Sequence, residues 1–364
     1  MQAQLKKLAR PAFAEIQLAA YGLLELNTDC FRKAKKIPAD KQAKMALFTL
    51  TVEQTLSESR KRRISVETLC TENKRKHKRK VMNYLTPDAL EHAADLISQA
   101  DGLVIAAGAG MGVDSGLPDF RGQEGFWKAY PALAAVQMDF TTIANPQGFS
   151  DDPVLSWGFY GHRLDLYRKT VPHTGFTLLK KWAGMMPFGA TIFTSNVDGQ
   201  FQKAGFDPLQ IHECHGSLHH LQCLTSCAES IWPADDFTPE VDEAQCRMTS
   251  PLPVCARCGG LARPNIMMFG DWQWQAKRTE QQAKQQNAWL NKVTRPVVIE
   301  LGAGKAIPTV RHFSERIITE HSGRLIRINP REWQVPTPRD IGLQAGALAG
   351  LQAISDMLGS DWRN

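Results

Sequence analysis

The sequence predicts an α/β fold, a doubly wound parallel sheet carrying a small inserted cysteine module. Three observations lead there. Short apolar runs such as Leu103-Val-Ile-Ala-Ala107 and Val297-Val-Ile-Glu-Leu301 alternate with stretches of helical spacing, the pattern of strands joined by crossover helices. The first run leads directly into glycines, Gly108-Ala-Gly-Met-Gly112. Bare backbone at a strand end is how such folds approach a phosphate, because glycine leaves the N–H groups uncovered. Two close cysteine pairs, Cys223 with Cys227 and Cys255 with Cys258, bracket 27 residues, a spacing that suits one tetrahedral metal ion.

The elements follow in order. Thr86 and Pro87 read as the cap and first residue of a helix over 87–100. A strand over 102–107 then meets the glycine loop. Helices over 152–170 and 174–184 lead to a strand over 190–195, Ala-Thr-Ile-Phe-Thr-Ser. A short helix near 199–204 precedes a strand over 209–213. The cysteine-rich insertion spans about 218–264. A strand is expected over 265–269, a helix over 277–292, a strand over 296–301 and a helix over 308–321. A strand over 324–328 and a helix over 346–358 close the pattern.

Composition divides the chain in two. Of its 364 residues 43% are hydrophobic, enough for one large or two modest domains with a sizeable core. Residues 1–82 hold 19 Lys+Arg against 8 Asp+Glu, a net +11, so the rest of this +6 chain is mildly acidic at −5. The basic runs Arg60-Lys-Arg-Arg63 and Lys74-Arg-Lys-His-Lys-Arg-Lys80 lie there. Helical spacing occurs over 11–26 and more weakly over 41–57. Such runs can neutralise nucleic-acid phosphates, but a solvated, partly disordered extension is the preferred reading. The composition break also makes Met82 an alternative start, a reading that peptides detected N-terminal to Met82 would exclude. No apolar run reaches the ~18 residues of a membrane span, so no membrane association is expected. No secretory leader pattern is present, and the eight cysteines read as reduced, metal-type thiols, so a cytoplasmic protein is expected.

Chemistry-bearing residues cluster at strand ends. Thr194-Ser-Asn-Val-Asp198 ends an apolar strand, where Asn196 and Asp198 can bind a ribose or a carboxamide or can cap the next helix. His215 follows in His212-Glu-Cys-His-Gly216. A near-neutral imidazole suits general base work, although His173, His212, His219 and His220 compete for the role; His212, His219 and His220 read as structural or surface residues. Tyr160 and Arg163, three apart on a helix, could grip a carboxylate with a phenol and a guanidinium fork, or Arg163 could be an ordinary surface arginine.

With the tail Gly116-Leu-Pro-Asp-Phe-Arg121, the glycine run resembles the first signature of the sirtuins, the NAD-dependent protein deacylases. The chain is similar to a bacterial-type member with divergent cofactor loops. Thr194-Ser-Asn-Val-Asp198, His215-Gly216 and the segment Gly259-Gly-Leu-Ala-Arg-Pro-Asn-Ile-Met-Met-Phe-Gly-Asp271 match further motifs in family order. The resemblance covers roughly residues 86–358. It implies a Rossmann-like NAD part formed by 86–217 and 265–358, within a catalytic domain over 83–364, with the zinc module at about 218–264. It implies NAD contacts from Gly108, Ala109, Gly110, Asp119, Phe120, Arg121, Ser195, Asn196, Asp198, Gly302, Ala303, Gly304, Asn329 and Ala347. His215, with Asn196, becomes the catalytic pair. Ile266, Met267 and Phe269 become walls for an acylated lysine whose backbone pairs as an added strand. Tyr160 and Arg163 occupy the place where desuccinylating and demalonylating members carry Tyr-x-x-Arg. Cys223, Cys227, Cys255 and Cys258 become ligands of one structural zinc. The implied activity is lysine deacylation that releases nicotinamide and O-acyl-ADP-ribose. Three departures fall on the cofactor side: Gly112 where the family has Ser or Thr, Ser195 where it has Gln, and Ala303-Gly304 where it has Thr-Ser. Two other readings stay open: an NAD glycohydrolase or ADP-ribosyltransferase on the same scaffold, and a non-catalytic NAD or nucleic-acid binding module.

Overall fold

Thr86 caps the first described helix as the sequence requires, its hydroxyl accepting the Ala89 N–H at 3.2 Å while Pro87 fills a helical position that needs no donor. The computed structural model describes residues 85–118 and 122–359. The basic extension, its two expected helices and Met82 lie outside the described residues, as do Asp119, Phe120 and Arg121.

In chain order the helices and strands begin with α1 (Pro87–Gln99) and β1 (Gly102–Ala107), after which the glycine loop forms two 3-10 turns, Ala109–Met111 and Val113–Ser115. Four short helices follow: α2 (Gly122–Ala129), α3 (Pro131–Ala135), α4 (Phe140–Ile143) and α5 (Gly148–Asp151). Then come α6 (Pro153–Lys169), α7 (Thr174–Gly184), β2 (Ala190–Thr194), α8 (Gln200–Lys203), β3 (Ile211–Glu213), β4 (Gly216–Cys223) and β5 (Ile231–Pro233). A two-stranded hairpin, β6 (Val241–Asp242) and β7 (Arg247–Met248), precedes β8 (Ala262–Ile266) and α9 (Lys277–Leu290). The chain closes with β9 (Pro296–Leu301), α10 (Thr309–Glu320), β10 (Arg324–Ile328), β11 (Ile341–Leu343) and α11 (Ala347–Leu358).

Six parallel strands form the main sheet in the order β11-β10-β9-β1-β2-β3. In the middle, Ile105 pairs with Ile192 on one side and Ile299 on the other. All six residues of β1 and of β9 are buried, which is why both read as continuous apolar runs rather than alternating ones. One sheet face packs on residues of α1, α7 and α11, including Ile97, Phe176, Leu179 and Leu351. The other packs on α9 and α10 through Leu290, Phe313 and Ile317, with Phe193 stacked on Phe313 at 3.9 Å.

The antiparallel sheet β5-β4-β8 belongs to a second cluster that is rich in aromatics. Phe126, Phe149, Trp157, Phe159 and Tyr160 from the helical stretch meet Leu218, Leu221 and Ile266 there. The inserted module is therefore packed against the helical stretch between β1 and β2.

Two strands differ from expectation. The strand expected over 265–269 lies at Ala262–Ile266, because pairing with β4, Cys223 opposite Ala262 and Gly216 opposite Ile266, sets its limits. The apolar run continues to Phe269 but leaves the sheet: the Met268 N–H turns to the Asp271 carboxylate and the Phe269 N–H to the Ala144 carbonyl. The strand expected over 209–213 begins only at Ile211, since Asp207 caps a 3-10 turn over Pro208–Gln210.

Candidate active site

The sheet order reverses between β1 and β9, so their carboxyl ends open a crevice, the usual ligand position in an open α/β sheet. The loops leaving these strands pack backbone on backbone. The Gly108 N–H donates to the Leu301 carbonyl at 2.9 Å and the Gly110 N–H to the Gly302 carbonyl at 3.1 Å. Gly302 has φ +60°, and a Cβ on it would lie 2.4 Å from the Gly110 Cα. Glycine here permits contact between two loops. Gly108 and Ala303 are buried in that contact, while Ala109 is exposed and Gly110 and Gly304 are half-buried toward the crevice. Gly112 fits because a Cβ there would meet the Leu117 side chain at 2.8 Å.

Other residues hold the glycine loop. The His173 Nδ1 accepts the Gly175 N–H at 3.0 Å, so its proton sits on Nε2, which donates to the Met111 carbonyl at 2.9 Å. The Asp114 carboxylate accepts the Leu348 N–H at 2.8 Å, tying the loop to the first turn of α11, where Ala347 is buried. Asn329 is wholly buried. Its amide donates to the Ala303 carbonyl at 2.9 Å, and its oxygen accepts the N–H groups of Arg331 and Glu332. Both ends of Asn329 thus act within the protein, shaping the loop after β9.

The end of β2 supplies the next group. The Asn196 side-chain amide donates to the Gly108 carbonyl at 3.0 Å, and the Thr194 hydroxyl accepts the Asn196 N–H at 3.0 Å. Ser195 is half-buried beside them. Asp198 is 8% exposed and accepts the Gln200 N–H at 3.0 Å. Burial raises its pKa to about 6, against that hydrogen bond, with the nearby Glu213 carboxylate adding to the rise and Arg163 opposing it. His219 Nε2 donates to the Asp198 carbonyl at 3.0 Å and its ring packs on Gly199, holding this turn.

His215 stands half-buried between β3 and β4. Burial lowers its pKa below the ordinary 6.5, partly offset by a bond to the Ser195 backbone, so the imidazole is neutral at physiological pH. Its own carbonyl accepts the Met267 N–H at 2.9 Å. That bond joins His215 to the segment after β8, where exposure alternates: Met267 is 45% and Phe269 39% exposed, while Ile266 and Met268 point inward. The structure thus brings Gly108, Asn196, Asp198, His215 and Met267 onto one connected backbone framework.

Of the other candidate histidines, His212 is hydrogen-bonded within the protein, and His220 is half-buried with its Nδ1 unpartnered among the described residues. His212 Nδ1 donates to the Gln286 side chain at 2.9 Å, and burial pushes His220 down to about 4. Burial raises the Cys214 thiol to about 12, which removes it as a nucleophile.

On α6, Arg163 is 7% exposed, with its guanidinium 5.2, 5.8 and 5.4 Å from the rings of Phe159, Tyr160 and Tyr167. Two of its N–H groups donate to the Tyr167 hydroxyl, at 3.0 and 2.7 Å. Tyr160 is fully buried, stacked on Phe149 at 5.6 Å, and its hydroxyl has no hydrogen-bond partner among the described residues. Arg163 is thus an interior cation, and not the surface arginine that was the other reading. Sequence reasoning missed Tyr167; it read His219 as a structural or surface residue, without its partner Asp198. The spacing of four from Arg163 would have shown Tyr167, whereas no local pattern marks His219.

The four expected cysteines converge. Sγ of Cys223, Cys227, Cys255 and Cys258 all lie within 4.8 Å of one another, with Cys223–Cys258 and Cys227–Cys255 at 3.6 Å. Zinc–sulfur bonds of about 2.3 Å in a tetrahedron place sulfurs about 3.8 Å apart, so the set fits one zinc ion. Four thiolates leave no open position for chemistry, which makes the site structural. Cys246 is buried and lies outside this cluster.

Comparison with known proteins agrees with this geometry. The model of the Sir2 family matches residues 108–292. An NAD-dependent protein deacylase of Thermococcus kodakarensis is 28% identical over 259 residues, covering 71% of this chain and 91% of that protein. The mitochondrial NAD-dependent protein deacylase sirtuin-5 of Danio rerio is 31% identical over 211 residues, covering 52% of this chain and 66% of that protein. A solved Sir2 homologue in complex with NAD shares the fold at TM-score 0.55 and 24% identity, over 73% of this chain and 92% of that one.

Proposed function

The chain belongs to the Sir2 family, and from that premise we propose that it is an NAD-dependent protein-lysine deacylase whose chemistry centres on His215. NAD is a co-substrate here, lying across the crevice between the loops after β1 and β9. Ala109, Gly110 and Gly304 offer it exposed or half-buried loop backbone, while Gly108, Gly302, Ala303, Asn329 and Ala347 shape those loops from within. Asp119, Phe120 and Arg121 are proposed as further NAD-binding residues. Asn196 and Ser195 face the nicotinamide ribose, and Asp198 holds the nicotinamide amide. The acyl-lysine carbonyl oxygen attacks C1′ of the ribose, the bond from C1′ to nicotinamide breaks, and nicotinamide leaves. His215 then takes the proton of a ribose hydroxyl as that oxygen attacks the acyl carbon; the bond from that carbon to the lysine nitrogen breaks as the nitrogen takes up a proton, and a water molecule adds to the acyl carbon while its bond to the C1′ oxygen opens, so free lysine and O-acyl-ADP-ribose are the products.

The observation that carries this reading is the neutral, half-buried His215, bonded through its backbone to Met267 and standing beside the strand end that holds Asn196. The substrate runs as an extended segment along Met267 and Phe269, with Ile266 behind them. Mass spectrometry of a reaction with NAD and an acetyl-lysine peptide tests it. O-acetyl-ADP-ribose is expected from the wild type and not from His215→Ala. Free ADP-ribose as the sole product would favour the hydrolase.

An acidic acyl group is the proposed preference, through Arg163 and the unpartnered Tyr160 hydroxyl in the buried aromatic cluster. A succinyl peptide turned over faster than an acetyl one, with the order reversed in Arg163→Met, supports it, and an unchanged order contradicts it. When bound, zinc supplies only cross-linking of the cysteine segments. The thiolate site suits a reducing, cytoplasmic setting, and among the described residues no helix is long and apolar enough to cross a membrane.

A further inference from the structure

Beside the segment proposed to receive the substrate, a cavity of about 580 Å³ opens between the short helices and the loop after β8. Its lining includes Asn145, Gln147 and Asp151, Asp152 and Leu155 at the start of α6, and Phe269. Among the described residues the lining holds two carboxylates and no Lys or Arg. The two carboxylates differ. Asp152 is neutralised by Arg247 at 2.9 and 3.2 Å. Asp151 is exposed, takes only the Gln147 side-chain amide at 2.8 Å, and has no cationic partner among the described residues.

The cavity is continuous with the substrate segment. The Phe269 N–H donates to the Ala144 carbonyl at 2.9 Å, and its ring meets Phe140 edge-on at 6.0 Å. We propose that this cavity is a specificity subsite for a cationic side chain, lysine or arginine, of the polypeptide that carries the acyl-lysine. Leu155 and Phe269 accept the methylene stem, and the Asp151 carboxylate and the side-chain oxygens of Asn145 and Gln147 accept the charged head.

This inference rests on the deacylase reading, and its test separates the two. Acetyl-lysine peptides carrying Arg, Ala or Glu at each flanking position are assayed with the wild type, Asp151→Asn and Asp151→Lys. At one flanking position the wild type is expected to favour Arg over Glu by about fivefold in kcat/KM, a typical effect of a part-exposed charge pair. Asp151→Asn should reduce that ratio and Asp151→Lys should invert it. Turnover of every peptide with no charge preference, or a preference that survives in both variants, overturns the subsite alone. No turnover of any acyl peptide by the wild type overturns the deacylase reading and the subsite with it.

Discussion

Arg263 and Asp271 form a two-armed ion pair, Nη1 to Oδ2 at 2.7 Å and Nη2 to Oδ1 at 2.8 Å, with both side chains wholly removed from solvent. The pair closes the turn that carries Met267 and Phe269. Asp271 also accepts the N–H groups of Met268 and Gln273, at 3.3 and 3.2 Å, so one carboxylate sets both charge and backbone path. Removing one partner leaves the other charge buried and alone, which costs about 3–5 kcal/mol. Asp271→Ala is therefore expected to lower unfolding stability by that amount in urea titration and to raise KM for the peptide. Unchanged stability would show that the pair does not hold the turn.

Asp198 sits under opposite electrostatics. Its folded pKa of about 6 lies above the ordinary 3.8 because burial disfavours the charged form. A group raised in this way contributes stability below pH 3.8 that is lost as pH rises through 6. Asp198→Asn removes a buried charge at pH 8 and is expected to stabilise the fold by about 1–3 kcal/mol there. The gain should shrink to nothing as pH falls from 6 to 4, and NAD turnover should be lost. Urea unfolding of both proteins at several pH values checks this, and a pH-independent difference would contradict it.

Gly302→Ala places a methyl group 2.4 Å from the Gly110 Cα at a residue with φ +60°. Left-handed strain of about 1–2 kcal/mol adds to overpacking of about 1–3 kcal/mol. The variant is expected to melt early and to bind NAD at least tenfold more weakly by calorimetry, because the crevice walls must separate. Normal binding would mean that the contact between the loops after β1 and β9 does not shape the site.

Metal analysis is expected to find one zinc per chain, bound by Cys223, Cys227, Cys255 and Cys258. A strong chelator should release it and lower the melting temperature, since the ion ties the end of β4 to the Cys255–Cys258 segment. Cys255→Ser should do the same without chelator. A chain with its full melting temperature and no zinc would refute the structural role.

Much of this was legible because chemistry and burial are local where they matter. The strands β1 and β9 are buried on both faces, so Leu103–Ala107 and Val297–Leu301 read directly as strands. The cysteine spacing and the glycine, Asn-Val-Asp and His-Gly runs lie at strand ends in sequence as in space. Hydrogen bonding decided the rest. The strand before Met267 ends three residues early because Met268 and Phe269 find other acceptors, although the apolar run continues. The helices α2 to α5 are too short to show a period; α4 and α5 have four residues each. The Arg263–Asp271 pair joins residues eight apart, and the His219 bond to Asp198 spans 21, so neither is marked by a local pattern.

The central claim is that NAD is cleaved for the sake of an acyl-lysine, with His215 as base. Nicotinamide release by the purified protein, with and without acetyl- and succinyl-lysine peptides and beside His215→Ala, tests it most directly. Release that requires an acyl peptide and falls with His215→Ala is the predicted result. Equal release without peptide would contradict it and assign the crevice to NAD hydrolysis or ADP-ribosyl transfer.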